Sequence, residues 1–132
     1  MNQGARVAVD GTRVLFVEDD ASVAQMYQLK LELDGYHVFV APDGLTALEM
    51  ACALLPDIIF LDIMLPKMDG LEVLEALRSD PRTASIPTVI LSDWNEKEYI
   101  ERSERLGALD HLTKSQTTPA KLSRLLQGWL KL

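Results

Sequence analysis

Glu18, Asp19, Asp62, Ser92 and Lys114 are residues of the types that phosphoryl chemistry uses, and each closes a short apolar run in the 132-residue chain: "RVLFVEDD", "DIIFLD", "PTVILSD" and "DHLTK". Asp62 poses the problem most sharply. In "IIFLDIMLPKMDG" it ends a run suited to a buried strand, and a buried carboxylate without partners costs several kcal/mol or becomes neutral. Three carboxylates gathered in one place repel one another unless a cation sits among them, and an all-oxygen set suits Mg2+, which keeps some of its waters. A carboxylate beside that ion can attack phosphorus and become an acyl phosphate. The metal and a lysine then neutralise the equatorial oxygens while a hydroxyl donates to another. Taken singly, each residue has a plainer role: an Asp at a strand end is most often a cap or turn former, Ser92 a turn residue, Lys114 a solvated charge. Acids, acid, hydroxyl and lysine at successive strand ends form a specific constellation.

For these residues to meet, their runs must be strands of one sheet. The five runs, with "HVFVA" added, are near-continuously apolar, which predicts strands buried on both faces. Between them lie helical patterns. Leu45, Leu48, Cys52 and Leu55 recur at helical spacing before Pro56, and Leu122, Leu125, Leu126, Trp129 and Leu130 do so near the carboxyl end. Asp69 with Glu72 predicts a capping box, Thr118 with Pro119 a cap and first turn, and Gly35 and Gly107 left-handed helix ends. The segments from Ala21 to Asp34 and from Glu96 to Leu106 complete the set, the second short and highly charged. Strand and helix alternate, so the expected fold is α/β: a doubly wound, flavodoxin-like (βα)5 domain with a five-stranded parallel sheet in the order 2-1-3-4-5. Ligands in such sheets bind beyond the carboxyl ends of the strands, where these residues fall.

Length predicts one domain, with residues 1–12 as a leader of uncertain order and the organised domain over 13–132. The hydrophobic fraction is 48% and no apolar run approaches a membrane span, so membrane insertion is not expected. The amino terminus lacks the pattern of a secretory signal, which makes a cytoplasmic location the default. A net charge of -7, from 20 acidic and 13 basic residues, argues against direct nucleic-acid binding. Cys52 cannot form an internal disulfide and reads as an ordinary core thiol.

With "VLFVEDD", "DIIFLDIMLPKMDG", and "VILS" followed by "LTK", the chain resembles the response-regulator receiver domain of two-component signalling (CheY-like) over essentially all of Arg13 to Leu132. The resemblance implies that Asp62 is the phosphoacceptor and that Glu18, Asp19 and Asp62 hold Mg2+ with the backbone carbonyl of Met64. Ser92 takes the place of the switch hydroxyl, Lys114 that of the lysine contacting the phosphoryl group, and Asp20 is a cap for the first helix. It also implies a phosphohistidine donor, on a sensor histidine kinase or a histidine phosphotransfer protein. The implied activity is that of a signalling switch, which catalyses its own phosphorylation and slow dephosphorylation, rather than of an enzyme acting on other substrates. A downstream protein would dock on the face of the fourth helix, fifth strand and fifth helix, where Tyr99, Ile100, Leu106 and Trp129 are candidates. Trp129 also lies on the apolar stripe, and a place in the core is the favoured reading.

Three positions depart from the family pattern. Lys114 is followed by Ser115 rather than by a proline in a cis peptide, a bond that a non-proline residue adopts only at a cost of roughly 3 kcal/mol. Asp93 follows the switch hydroxyl where Ala or Gly is usual; pointing inward, it would repel phosphate or add a ligand. His111 stands where many receivers carry a Tyr or Phe that rotates on activation, which opens the way to a pH-sensitive switch. These departures motivate the alternative of a pseudo-receiver, a binding module that does not accept phosphate. A phosphatase of the haloacid-dehalogenase type would need an Asp where Met64 stands. The length leaves no room for an output domain, which fits a stand-alone receiver or a piece of a larger regulator.

Overall fold

The computed structural model describes residues 11–131, so the leader expected over 1–12 lies almost wholly outside the described residues. The strands are β1 (Arg13–Val17), β2 (His37–Ala41), β3 (Ile58–Leu61), β4 (Thr88–Ser92) and β5 (Asp110–Thr113). The helices are α1 (Ala21–Leu33), α2 (Gly44–Leu54), α3 (Gly70–Ser79), α4 (Lys97–Arg105) and α5 (Pro119–Leu130), with a 3₁₀ turn at Lys114–Gln116. The strands pair in parallel in the order β2-β1-β3-β4-β5, the doubly wound arrangement the alternation predicts.

The two-residue period of a strand sorts the apolar runs into two layers. Val14 and Phe16, Ile58 and Phe60, and Val89 and Leu91 face Ala24, Tyr27 and Leu31 of α1 and Leu122 and Leu126 of α5. Leu15 and Val17, Ile59 and Leu61, and Ile90 face Ala47 and Ala51 of α2 and Val73, Leu74 and Leu77 of α3. Trp129 packs on the first layer, its ring 5.9 Å from that of Phe60, so its place is the core.

Helix ends follow the expected chemistry. Asp69 and Glu72 form the reciprocal capping box, Thr118 caps α5 with Pro119 in its first turn, and Asp20 and Asp43 cap α1 and α2. Gly35 and Gly107 adopt φ of +99° and +80°. Arg78 ties the end of α4 to the sheet, donating to the carbonyls of Leu106, Gly107 and Ile86.

Two expectations need correction. The Leu45, Leu48, Cys52, Leu55 stripe is not the buried face of α2: Leu45 and Leu55 are 46% and 48% exposed, and Cys52 is only half-buried. The buried residues of α2 are Gly44, Ala47 and Ala51, the two alanines packing with the sheet. At Gly44 the close approach is to the chain entering α3, where a Cβ would lie 2.2 Å from the Met68 carbonyl oxygen. The run at β5 is not buried on both faces either. β5 is an edge strand, half-buried from His111 to Thr113.

Candidate functional site

The carboxyl ends of β1, β3, β4 and β5 converge as the topology requires. Glu18 and Asp62 are 3% and 5% exposed, while Asp19 is open to solvent. One carboxylate oxygen from each of Glu18, Asp19 and Asp62 lies within 4.8 Å of the others, an all-oxygen set of the kind a hard divalent ion takes. Lys114 reaches this pocket from the far edge of the sheet. Its Nζ donates to Glu18 Oε1 at 2.6 Å and to Asp62 Oδ2 at 2.7 Å. That ammonium is the partner a buried Asp62 needed.

The electrostatics are mutual. Burial alone would lower the pKa of Lys114, but hydrogen bonds and charge from Asp62 and Glu18 outweigh it and hold the ammonium well above its ordinary value. Burial pushes Glu18 up, against the Lys114 hydrogen bond and the Asp20 N–H that its other oxygen accepts. Asp20 itself turns away: its carboxylate accepts from Ser22 and Val23 at the start of α1, as a cap does.

The local sequence explains how each group is held. Gly70 opens α3 so close to β3 that a Cβ there would meet the Asp62 carbonyl oxygen at 2.0 Å, and its N–H donates to the Ile63 carbonyl at 2.7 Å. Only glycine permits that approach, and it sets the start of the loop from Asp62. Met64 follows, its N–H donating to Asp62 Oδ1 at 3.3 Å and its side chain exposed. Ser92 is buried, and its Oγ accepts from the Trp94 N–H at 3.1 Å, leaving its own hydroxyl proton free to donate elsewhere. Trp94 stands edge-on to Tyr99, centroids 5.9 Å apart. Lys114 opens the 3₁₀ turn, whose far side is anchored by the buried Tyr27: its hydroxyl donates to the Thr117 carbonyl.

Asp93 does not point inward. Its carboxylate accepts from the Ser115 N–H at 2.7 Å, outside the acidic pocket. Among the described residues no peptide is cis, so the chain after Lys114 takes the 3₁₀ path instead of the proline-type loop. His111 is not part of the pocket. Its imidazole lies half-buried with Nδ1 3.3 Å from Ser103 Oγ of α4, its Nε2 buried without a hydrogen-bond partner, and burial lowers its pKa. The roles of Tyr27, Gly44 and Gly70 were not legible from residue type; only the close packing of the Asp62 loop reveals them.

This fold and this pocket together are those of a receiver domain. The family model for the response regulator receiver domain matches residues 14–127, and the chain belongs to that family. It is 38% identical over 113 residues to the DNA-binding dual master transcriptional regulator RpaA of Synechocystis, covering 86% of this chain and 47% of that protein. It is 41% identical over 102 residues to the response regulator PleD of Caulobacter vibrioides, covering 77% of this chain and 22% of that one. The chain thus spans about half, or less, of the curated relatives it matches. Among solved structures, the BeF3-activated N-terminal receiver domain of Klebsiella pneumoniae RstA superposes with a TM-score of 0.82 at 32% identity, covering 92% of this chain and all of that one. Chemotaxis protein CheY4 of Vibrio cholerae does so with a TM-score of 0.81 at 32% identity, covering 89% and 97%. The protein is therefore a receiver domain of two-component signalling, with no described helix long and apolar enough to cross a membrane.

Proposed function

We propose that Asp62 accepts a phosphoryl group from a phosphohistidine on a sensor histidine kinase or histidine phosphotransfer protein, and that the product switches the binding of a downstream protein. In the transfer, an Asp62 carboxylate oxygen attacks phosphorus, the bond from phosphorus to the donor imidazole nitrogen breaks, and the imidazole leaves with its electron pair. The single observation that carries this reading is the bridge from Lys114 Nζ to both Asp62 and Glu18. As charge moves outward from Asp62 to the phosphoryl oxygens, the ammonium that already faces Asp62 Oδ2 follows it, and the Ser92 hydroxyl donates to a second oxygen. Glu18, Asp19 and Asp62, with the Met64 carbonyl, are the groups that would hold Mg2+. The ion, when bound, neutralises charge on the entering phosphoryl group.

Once formed, the acyl phosphate is long-lived, because the neighbouring Met64 and Trp94 are large and neither orients a hydrolytic water. Residues 13–132 form the signalling unit, preceded by a leader over 1–12, and it acts in the cytoplasm. The acidic balance of -7 favours a protein target over nucleic acid, and the α4, β5, α5 face is the surface for it. Tyr99, Ile100 and Leu106 of that face are all half-buried. Of the three residues that motivate the pseudo-receiver alternative, Asp93, Ser115 and His111, Asp93 accepts from the Ser115 N–H, which supports the phosphoryl-accepting reading over it.

The test is intact mass after incubation with acetyl phosphate and Mg2+, beside Asp62→Asn. One phosphoryl group gained by the wild type and absent from the variant is the expected result. No gain overturns the proposal, and a phosphoryl half-life of seconds overturns the claim of slow hydrolysis.

A further inference from the structure

The loops that follow β4 and β5 are stitched to each other by side chains. Asp93 Oδ1 accepts from the Ser115 main-chain N–H at 2.7 Å, and Asn95 Nδ2 donates to Thr113 Oγ1 at 3.2 Å. Asp93 directly follows Ser92, and Ser115 directly follows Lys114. The first bond therefore joins the residue after the switch hydroxyl to the residue after the lysine. These are also two of the positions at which the chain departs from the receiver pattern, and chemically the departures require each other. A proline after Lys114 would have no N–H to give, and an Ala or Gly after Ser92 would have no acceptor to offer.

The turn that carries Lys114 needs such a partner. It spans only Lys114–Gln116, and Thr113 supplies no side-chain cap, so its first N–H groups have no partner within the turn. On the far side, Thr117 is held by Tyr27 and by its own Oγ1 donating to the Thr113 carbonyl at 2.8 Å. Asp93 supplies the hold on the near side, through a charge-assisted bond.

We propose that Asp93 is a positioning residue for Lys114: its carboxylate latches the Ser115 N–H and takes over the restraint that a proline ring imposes in the usual receiver loop. With the latch closed, the Lys114 ammonium stays directed at Asp62 and Glu18. Ser92 and Lys114, the two groups offered to the phosphoryl oxygens, then move as a unit, so that an inward shift of the Ser92 segment draws the lysine turn with it. The inference rests on the phosphoryl-transfer reading above, and its test separates the two.

The full chain, labelled with 15N and 13C, is compared with Asp93→Ala, Asp93→Asn, Ser115→Pro and the double variant Asp93→Ala/Ser115→Pro. Without any phosphoryl donor, the Ser115 amide proton resonates downfield and exchanges slowly in the wild type. It loses both properties in Asp93→Ala and keeps most of them in Asp93→Asn, whose side-chain oxygen still accepts. With acetyl phosphate and Mg2+, Asp93→Ala slows phosphorylation roughly three- to tenfold, the loss of about one hydrogen bond, and Asp93→Asn recovers most of the rate. Ser115→Pro alone strands the carboxylate. Adding Asp93→Ala to it costs nothing further. An unmoved Ser115 amide in Asp93→Ala, a wild-type rate in that variant, or losses that multiply in the double variant would each overturn the proposal. A wild type that gains no phosphoryl group overturns the functional reading instead; the latch then stands or falls on the Ser115 amide and on whether the Lys114 side-chain resonances shift in Asp93→Ala.

Discussion

Helices α3 and α4 pack in the same layer of the domain and are held in opposite ways. α3 buries Gly70, Leu71, Val73, Leu74 and Leu77 and opens on a capping box. α4 buries only Ser103, has no side-chain cap, and meets the core through the half-buried Tyr99 and Leu106. The helix that braces the Asp62 loop is thus part of the core, whereas the helix that follows the Ser92 loop rests on it. Local stability follows buried apolar contact, so α3 holds the Asp62 loop firmly, whereas the region around α4 is the looser half, whose rearrangement costs less. The proposed switch needs that asymmetry, because one acyl phosphate would supply only the differential free energy of its own contacts.

The sharpest way to break the comparison is to truncate one apolar side chain on each helix. Leu74→Ala removes a fully buried side chain and should cost about 2 to 5 kcal/mol of unfolding free energy. Ile100→Ala, on the half-buried face of α4, should cost about 1 kcal/mol or less. Urea denaturation of the two variants decides it. Equal losses would mean that α4 is as integral to the core as α3.

Gly70→Ala tests the same asymmetry at the point where α3 touches the chemistry. The new methyl would stand 2.0 Å from the Asp62 carbonyl oxygen and 2.7 Å from Ile63 Cα, both main-chain atoms that cannot swing aside. Overpacking of this kind costs about 1 to 3 kcal/mol, and here the strain is relieved only by moving the Asp62 loop, so phosphorylation by acetyl phosphate should fall with stability. Gly128→Ala, where a Cβ meets nothing within 4 Å, is the control and should stabilise α5 by up to about 1 kcal/mol. A Gly70→Ala variant of wild-type stability and rate would show that the loop is not clamped.

How much of this was legible in the sequence depends on how local the cause is. Caps such as Asp20, Asp69 and Thr118 are read from residue type and spacing because the groups they satisfy lie within one turn. Burial of the central strands on both faces was legible in the same way, from near-continuous apolar runs, and the structure sorts Val14 and Phe16 to one layer and Leu15 and Val17 to the other. The α2 stripe marked the helix but not its buried face: periodicity weighs hydrophobicity, and the buried Gly44, Ala47 and Ala51 give a weak signal beside four larger residues. In the site, residue types singled out Glu18, Asp19, Asp62, Ser92 and Lys114 as candidates, and the structure places them at the carboxyl ends of the strands, with Glu18, Asp19, Asp62 and Lys114 together in one pocket. The bond from Ser115 to Asp93 spans two loops far apart in sequence, so no local pattern could announce it.

The smallest effect, and the one that sharpens the contrast most finely, concerns His111 in the looser half. Burial lowers its pKa below the ordinary 6.5, although the Trp94 main chain and the charges of Asp110 and Glu104 work the other way. The unfolded chain therefore takes up a proton near pH 6.5 that the folded chain resists until a lower pH. Through that interval the unfolded state binds more protons, so stability contributed by neutral His111 is fully present above 6.5 and is lost as pH falls through the folded-state pKa. His111→Phe abolishes this contribution. Urea midpoints at about pH 7.5 and pH 5.5 should accordingly differ less in His111→Phe than in the wild type, and in the wild type at the lower pH protection against amide exchange, taken relative to the intrinsic rate at that pH, should fall in α4 before it falls in α3. Protonation places a charge against Ser103, the one residue by which α4 is truly buried. An equal pH dependence in variant and wild type would remove His111 from the account of why that half is loose.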